Sequence, residues 1–287
     1  MLKTDMLKKL YYKLPSIYQN YLNKAASKLA NNAEEEFIHN DIGKNYNLSS
    51  KDKANIVKRI RNSLSKIDSA TSIDVHLELG KRLLDLPNNQ GSIVECGCYQ
   101  GASTVSLSIF SKIIERNLII YDSFEGLPED KDNVGKRNYP FLNLTGEYKK
   151  GMYKSSLENV KNNLKFYGEY DVCELRKGYF DKSLIQHKEK IDFLFLDVDL
   201  VQSTTDCIKY LWKFVNNGSY IYTDDACDMD VVKFWFDKEW WNKNLNCEPP
   251  SYIGSGCGIN LGNSYSSLGF TIKNSDKSKF NKALFLY

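Results

Sequence analysis

Apolar residues recur at helical spacing through the first third of the chain. They fall every three or four positions in residues 7–14, 52–67 and 73–84, so each run forms one apolar stripe along a helix. Pro15 interrupts the first run and Pro87 follows the third, and proline cannot continue a helix. The pattern therefore predicts three helices before the first strand.

The polar stretch 31–50 between the first two helices predicts a loop. We expect residues 1–68 to form an N-terminal helical extension or lid, and residues 69–287 to form the main domain. Six lysines and one acid occur in the first 30 residues. This charge suits a helix that packs on the domain or on a dimer partner, and also a helix that lies on an anionic membrane surface.

From residue 92 onward, short β-type runs alternate with helical runs. Five apolar segments have the length and composition of strands, namely Ser92–Glu95, Leu118–Tyr121, Val172–Leu175, Phe193–Leu196 and Tyr220–Thr223. Helical patterns begin near Ala102, Ser155, Phe180, Ser203 and Cys227. This alternation predicts an α/β fold with a mostly parallel sheet and helices on both faces.

Two segments depart from this alternation. Residues 122–153 are long, polar and interrupted by Gly and Pro, and a connection of this length is uncommon unless it is functional, as a lid is. Near the end of the chain, Leu268–Lys273 predicts an antiparallel strand that follows Gly-rich turns.

Composition narrows the class of protein. With 287 residues, 42% of them hydrophobic and 26% charged, the chain is long enough for one large domain or two small ones. A net charge of +3 is too balanced to indicate a nucleic-acid partner, and no apolar run approaches the length of a membrane span. Seven cysteines without a CxxC pair, and no recognisable secretion signal, predict a cytoplasmic protein with free thiols.

The turn after the first predicted strand is a candidate ligand site, because ligands of open α/β sheets bind beyond the carboxyl ends of the strands. Its sequence, ECGCYQGAS, runs from Glu95 through Gly97 and Gly101 to Ser103. It matches neither the dinucleotide motif nor the P-loop. Glu95 suits a cationic group, such as an amine or a sulfonium, better than a phosphate. The alternative is an ordinary turn with an incidental glutamate.

Asp122 ends the second predicted strand. A carboxylate at this position can accept two hydrogen bonds from ribose hydroxyls, although an Asx-turn or a helix cap would also place an aspartate there. Together Glu95, Gly97 and Asp122 describe a site for a nucleoside with a cationic tail.

Two pairs of acids follow later strands. Asp197 and Asp199 follow one, and Asp224 and Asp225 follow the next. Since parallel strands end at the same edge, the four carboxylates should converge and repel one another unless a cation is present. Oxygen ligands suit Mg²⁺, Mn²⁺ or Ca²⁺. Alternatively, Asp199 and Asp225 cap the helices that follow them.

Several other residues invite a functional interpretation. We expect the tryptophan-rich run of Trp235, Trp240 and Trp241 to pack in the core or at a dimer contact. Alternatively, it forms a wall of an acceptor pocket. We expect His187 to be a surface or packing residue. The absence of a G-x-S-x-G motif disfavours a hydrolase.

Four motifs together resemble the macrocin O-methyltransferase (TylF-like) family: VECGCYQGAS, YDSFEGLPE, LDVDLVQST and the TDD acid pair. KGYFDKSL resembles a further motif of that family. The resemblance runs from about Ser69 to Asp230, over half of the chain. Members of the family methylate sugars of macrolide and aminocoumarin antibiotics.

The resemblance implies a Rossmann-like class I methyltransferase fold that uses S-adenosylmethionine and Mg²⁺ or Mn²⁺. The residues it assigns to the cofactor are Thr71, Ser72, Glu95, Gly97, Gly101, Ser103, Asp122, Ser123, Gly178, Tyr179 and Asp197. It places Glu95, Gly97 and Ser103 at the methionine end, Asp122 and Ser123 at the ribose, and Gly178 and Tyr179 near the adenine. It assigns Asp197, Asp224 and Asp225 to the metal, and makes Asp199 the general base.

We therefore expect an O-methyltransferase that acts on a sugar hydroxyl of a glycoconjugate, polysaccharide or natural product, as a cytoplasmic homodimer. An amine or catechol-like acceptor is an alternative. A nicotinamide-dependent oxidoreductase is disfavoured by the missing dinucleotide motif. A non-catalytic binding protein is disfavoured because crowded carboxylates would bring it no benefit.

Overall fold

The six-stranded sheet is the frame of the protein. A computed structural model describes residues 33–87, 91–129, 136–139, 144–261 and 264–274. The helix expected over 7–14 therefore lies outside the described residues. None of the described helices is long and apolar enough to cross a bilayer.

The sheet confirms the predicted parallel architecture. Its strands are β1 (Ser92–Cys96), β2 (Leu118–Asp122), β5 (Cys173–Lys177), β6 (Ile191–Leu196), β7 (Val215–Thr223) and β10 (Gly269–Ile272). They lie side by side in the order β10-β7-β6-β1-β2-β5. All neighbours are parallel except β10, which pairs antiparallel with β7, as the predicted final strand requires. Two small hairpins are formed by β3 (Lys136–Tyr139) with β4 (Leu144–Glu147) and by β8 (Asn260–Leu261) with β9 (Ser264–Tyr265).

Helices connect these strands. They are α1 (Ser50–Leu64), α2 (Ile73–Leu84), α3 (Ala102–Ile113), α4 (Leu157–Tyr167), α5 (Phe180–Ser183), α6 (Val201–Leu211), α7 (Met229–Phe234) and α8 (Lys238–Leu245). Every predicted helix within the described residues is present, with its first residue shifted by at most two positions from the expected start. Helix α1 begins with a capping box, in which Ser49 and Asp52 satisfy each other's backbone N–H groups.

Two hydrophobic cores cover the two faces of the sheet. Successive strand residues point to opposite faces, so Ile93 joins the core formed with α1 to α4, and Val94 joins the core formed with α6 to α8. Phe193 and Leu194 divide between the two cores in the same way. Strands β2 and β6 are apolar along almost their whole length because both of their faces are buried, whereas β5, at the edge of the sheet, is polar and partly exposed.

The loop prediction for residues 31–50 is wrong in part. Residues 33–39 are helical, and Lys44–Tyr46 form a 3₁₀ turn. Phe37 is fully buried and packs edge-on against Phe110, with ring centroids 5.9 Å apart. Phe37, together with the partly buried Ile38 and Ile42, therefore anchors a segment whose composition is mostly polar, because tertiary packing outweighs local propensity.

The tryptophan-rich segment belongs to the second core. Trp235 and Trp241 are fully buried, and Trp235 stacks on Tyr252 with ring centroids 5.1 Å apart. This confirms core packing and is incompatible with those two rings as a pocket wall. His187 is also a packing residue, since it is buried and its ring bonds to the Tyr121 hydroxyl and the Glu189 carbonyl.

Candidate active site

A cavity of about 570 Å³ opens at the carboxyl ends of the parallel strands. This size is typical of small-molecule sites. The predicted residues that line it are Thr71, Gly97, Ser103, Asp122, Ser123, Tyr179, Asp197, Asp199, Asp224 and Asp225. Residues from five strand ends and from the segment before α2 thus meet at one place, as the strand-edge argument predicts.

Four predicted residues lie beside the cavity rather than in its lining. Ser72 is the exposed N-cap of α2, and Gly101 is the N-cap of α3. Gly178 donates its N–H to the carbonyl of Asp122, so it shapes the turn next to that residue. Glu95 is fully buried beneath the cavity floor.

Glu95 is buried, and only one of its two carboxyl oxygens is hydrogen-bonded among the described residues. Ser103 donates a hydrogen bond of 2.6 Å to Oε1, whereas Oε2 has no hydrogen-bond partner among the described residues. Burial raises the pKa of Glu95 to about 7, against a smaller opposing effect of the Ser103 hydrogen bond. The unpaired oxygen leaves this carboxyl able to accept from a cationic ligand group.

Gly97 stands where the turns after β1 and β6 approach each other closely. Its φ is +82°, and a Cβ at this position would lie 1.9 Å from the backbone carbonyl oxygen of Asp197. Only glycine fits such a contact. The turn after β1 is therefore held against the turn after β6.

Asp122 joins the turns after β1 and β2. Its Oδ2 accepts the N–H of Cys98 at 2.8 Å, and its Oδ1 accepts the N–H of Phe124 at 2.6 Å. The second contact is the Asx-turn considered above. Burial raises the pKa of Asp122, and these backbone donors oppose the rise. Each carboxylate oxygen has a second lone pair, so a ribose hydroxyl can still bind.

The carboxylates after β6 and β7 converge as predicted. Burial and the nearby Asp224, Asp199 and Asp225 raise the pKa of Asp197 well above its ordinary value. Asp224 accepts a hydrogen bond of 2.6 Å from the Ser267 hydroxyl, and Asp225 accepts the N–H of Asp199 at 2.9 Å.

The alternative role of two of these acids as helix caps is wrong. Helix α6 has Leu200 at its N-cap, and α7 has Asp228, whose side chain accepts the N–H of Asp230. Asp199 instead has a left-handed backbone conformation, with φ at +62°. Its side chain turns to a partner outside α6, because Oδ1 accepts a hydrogen bond from the Tyr148 hydroxyl.

The chemistry of this donor set fits a divalent cation. Carboxylate oxygens are the ligands that Mg²⁺ and Mn²⁺ prefer. The pKa of Asp197 is raised first by burial and then by the neighbouring acids, and a bound cation would relieve this repulsion. In the part of the chain that the structure describes, no group of three or more Asp, Glu, His or Cys side chains is arranged to hold a metal ion as it stands.

Comparison with known proteins places the chain in a family. The model of the macrocin O-methyltransferase (TylF) family matches residues 84–246, more than half of the chain. The chain belongs to this family.

Two curated relatives of this TylF family member are similar in sequence over part of their length. One, from Streptomyces olivaceus, is the 8-demethyl-8-(2,3-dimethoxy-alpha-L-rhamnosyl)-tetracenomycin-C 4'-O-methyltransferase, 28% identical over 141 residues, or 47% of this chain and 52% of that protein. The other, the demethyldecarbamoylnovobiocin O-methyltransferase of Streptomyces niveus, is 26% identical over 149 residues, or 48% of this chain and 53% of that protein. The chain spans about half the length of the curated relatives it matches.

A solved structure shares the fold. The O-methyltransferase NovP superposes with a TM-score of 0.57 at 16% sequence identity, over 77% of this chain and 97% of that one. This confirms the Rossmann-like methyltransferase fold.

Sequence reasoning missed several residues around the cavity of this TylF family member. Tyr99 and Tyr153 both line it, each with a left-handed backbone, and their ring centroids lie 5.6 Å apart. Tyr153 also contacts Tyr148, so a row of three tyrosine rings reaches Asp199. The feature that distinguishes Tyr99 and Tyr153 is their left-handed backbone conformation, which is a property of the folded backbone and is not encoded by any sequence motif.

The cavity also extends beyond the segment that matches the family. Ala70 and Thr71, before α2, and Ser267, before β10, all line it, yet they lie outside residues 84–246. The regions on either side of the family match therefore help to shape the cavity.

Proposed function

We propose that the protein is an S-adenosylmethionine-dependent O-methyltransferase that methylates a sugar hydroxyl. The observation that supports this best is that Gly97 and Asp122 line the same cavity as the carboxylates after β6 and β7. Membership of the TylF family and the names of both curated relatives support the same reaction.

The cofactor would lie across the turns after β1, β2 and β5. In this proposal Asp122 and Ser123 bind the ribose, and Tyr179 lies beside the adenine. Glu95, below the turn of Gly97, balances the positive charge at the methionine end. Thr71 reaches the same end from the segment before α2.

The reaction needs an oxygen nucleophile aligned with the bond between sulfur and the methyl carbon. As the new O–C bond forms, the C–S bond breaks, and S-adenosylhomocysteine leaves with the electron pair. We assign to Asp199 the role of accepting the hydroxyl proton, because its carboxylate lines the cavity. Asp197, Asp224 and Asp225 would hold a divalent cation, which lowers the pKa of a coordinated hydroxyl when it is bound.

The acceptor we favour is a neutral glycoside. One curated relative is named for a rhamnosyl-bearing compound. A catechol-like phenol or an amine is the competing acceptor. The proposal further includes a cytoplasmic homodimer and division of the chain at residue 68. The lid expected over 122–153 lies in part, at 130–135 and 140–143, outside the described residues.

Calorimetry with S-adenosylhomocysteine, in Mg²⁺ and then in excess EDTA, is the first test. Micromolar binding in either buffer supports the cofactor site, and no binding by a folded protein contradicts it and turns attention to nicotinamide cofactors. Methyl transfer is then followed by mass spectrometry with neutral methyl glycosides, including methyl α-L-rhamnopyranoside, and with catechol. Transfer only to catechol would contradict the sugar assignment.

Replacing Asp122 with Ala should weaken S-adenosylhomocysteine binding roughly tenfold to a hundredfold. The reason is the loss of a hydrogen bond to a charged acceptor, together with loosening of the turn that Asp122 holds. Calorimetry measures the change, with circular dichroism to verify folding. The matched control is Asp171→Ala, which removes an exposed aspartate paired with Lys112. Unchanged affinity in Asp122→Ala would exclude its ribose role.

Replacing Asp197 with Ala should abolish Mn²⁺ binding and leave S-adenosylhomocysteine affinity within about threefold, because its carboxylate is central to the repelling acids. Electron paramagnetic resonance of free Mn²⁺ measures metal binding without any acceptor. Asp206→Ala is the control, since Asp206 lines the same cavity but is not assigned to the metal. Retained Mn²⁺ binding in Asp197→Ala, or loss of cofactor binding by the folded variant, contradicts the assignment.

A further inference from the structure

A buried histidine lies directly behind the cavity wall and has no part in the reaction described above. His76, on the first turn of α2, is 1% exposed. One ring nitrogen, Nε2, shares a hydrogen bond of 2.7 Å with the Thr71 hydroxyl, and the other, Nδ1, shares one of 2.7 Å with the Ser106 hydroxyl. The ring thus bridges the segment before α2 and the helix α3.

The two ends of this bridge differ in their access to the cavity. Thr71 lines the cavity, whereas Ser106 is buried on α3 and donates a longer hydrogen bond, of 3.4 Å, to the carbonyl of Ala102. Ala102 and Ser103, one turn earlier on α3, line the cavity beside Gly97. His76 therefore ties the Thr71 hydroxyl to α3, whose first turn lines the cavity.

The hydrogen bonds restrict the Thr71 hydroxyl in direction as well as in place. Burial lowers the pKa of His76 to about 4, so at neutral pH the ring is uncharged and offers one donor and one acceptor. Its two neighbours use both. Ser69 adds a further constraint, because its hydroxyl donates to the Thr71 carbonyl at 3.0 Å and accepts the Thr71 N–H at 3.2 Å.

We propose that His76 is a positioning residue, which holds the Thr71 hydroxyl in place to bind the amino-acid end of S-adenosylmethionine. This inference rests on the proposed function, because it takes the cavity to be the cofactor site. The amino-acid end is favoured over the nucleoside because His76 links Thr71 to α3, and the first turn of α3 lines the cavity beside Gly97. A hydroxyl that is already ordered binds a charged group without losing rotational freedom on binding.

Two ligands separate this role from a general structural one. S-adenosylhomocysteine carries the amino acid, and 5′-methylthioadenosine has the same nucleoside and thioether without it. Thr71→Val should bind S-adenosylhomocysteine roughly tenfold or more weakly, since a hydrogen bond to a charged group is lost. Its affinity for 5′-methylthioadenosine should stay within about twofold, and Thr71→Ser should recover most of the loss.

His76→Gln and Ser106→Ala test the bridge itself, because neither residue lines the cavity. Each should weaken S-adenosylhomocysteine binding about threefold to tenfold and spare 5′-methylthioadenosine. In a double-mutant cycle, His76→Gln should have almost no further effect once Thr71 is valine. The matched control is His187→Gln, which removes a second buried histidine that bonds to Tyr121 on the other side of the sheet.

The outcomes distinguish this inference from the function on which it rests. If the wild-type protein binds neither ligand, the proposed cofactor site is wrong. If it binds S-adenosylhomocysteine, and His76→Gln weakens both ligands equally, or acts additively with Thr71→Val, then His76 only supports the fold and the inference is overturned. If 5′-methylthioadenosine binds too weakly to measure, the double-mutant cycle alone decides.

Discussion

Replacing Glu95 with Gln should stabilise the ligand-free protein at pH 8 and at the same time weaken its binding of S-adenosylhomocysteine. The ordinary pKa of a glutamate is 4.5, and burial raises that of Glu95 to about 7. Between these values the folded protein keeps a proton that the unfolded chain has released. The free energy of unfolding therefore falls as the pH rises through this window.

The shift corresponds to about 3 kcal/mol at pH 8, since each unit of pKa difference is worth about 1.4 kcal/mol. Glutamine has no charge to bury, so chemical denaturation of the variant should show a flatter dependence on pH between 5 and 8. Ligand binding should respond in the opposite direction. Without the carboxylate, the ammonium group of the ligand loses a counter-charge, and a loss of roughly tenfold or more in affinity is expected.

Proton release provides an independent measurement. Near pH 7 the binding of a cationic group should drive the remaining proton from Glu95, so calorimetry in buffers of different ionisation enthalpy should detect proton release in the wild type and none in Glu95→Gln. Glu174→Gln is the control, since Glu174 is an exposed glutamate on β5 paired with Arg176. Equal stability of Glu95→Gln and wild type across this pH range would show that Glu95 is not buried in its charged form.

Gly97→Ala should cause the second large effect, a loss of about 4 kcal/mol or more in stability, or a folded protein that no longer binds S-adenosylhomocysteine. The added methyl group would stand 1.9 Å from the Asp197 carbonyl oxygen, so one of the two turns must move. A clash with a backbone atom cannot be relieved by rotating a side chain, and the left-handed φ of +82° adds strain for alanine. Thermal denaturation and calorimetry measure the two outcomes.

The chain provides a matched control for Gly97→Ala. Gly151 has nearly the same conformation, with φ at +80°, but among the described residues, its own chain neighbours apart, no atom lies within 4 Å of the place where a Cβ would stand. Gly151→Ala therefore carries the conformational cost alone, of about 1 kcal/mol. If both variants lose the same stability, strain explains the result and the close approach of the two turns does not matter.

The strand and helix pattern could be predicted from the sequence because it is a local property. Runs such as Phe193–Leu196 are buried on both faces of the sheet, so every residue in them is apolar and the strand can be recognised from its composition. The strand-edge rule then brought Asp122, Asp197 and Asp224 together without any structural information. Family resemblance supplied the proposed roles, which neither periodicity nor spacing could assign.

The residues that were missed depend on contacts between distant parts of the chain. The helical pattern around His76 requires only a buried residue at that position and does not specify a histidine. Its contact with Ser106, on another helix, becomes apparent only in the folded structure. Tyr148 meets Asp199 through a connection whose path has no periodic pattern. The helix over residues 33–39 was missed for a similar reason, since its main apolar contact, between Phe37 and Phe110, joins distant parts of the chain.

The final strand, β10, has a consequence for how the domain can be divided. It covers the outer edge of β7, where Gly269 pairs with Thr223. Ser267, which precedes β10 and lines the cavity, donates a hydrogen bond to Asp224. The segment that matches the family, residues 84–246, ends before this strand. A piece cut at those limits would leave the backbone N–H and C=O groups along β7 open to pairing with another chain, as exposed edge strands are in aggregation. The last strand therefore protects the solubility of the fold as well as completing the wall of its cavity.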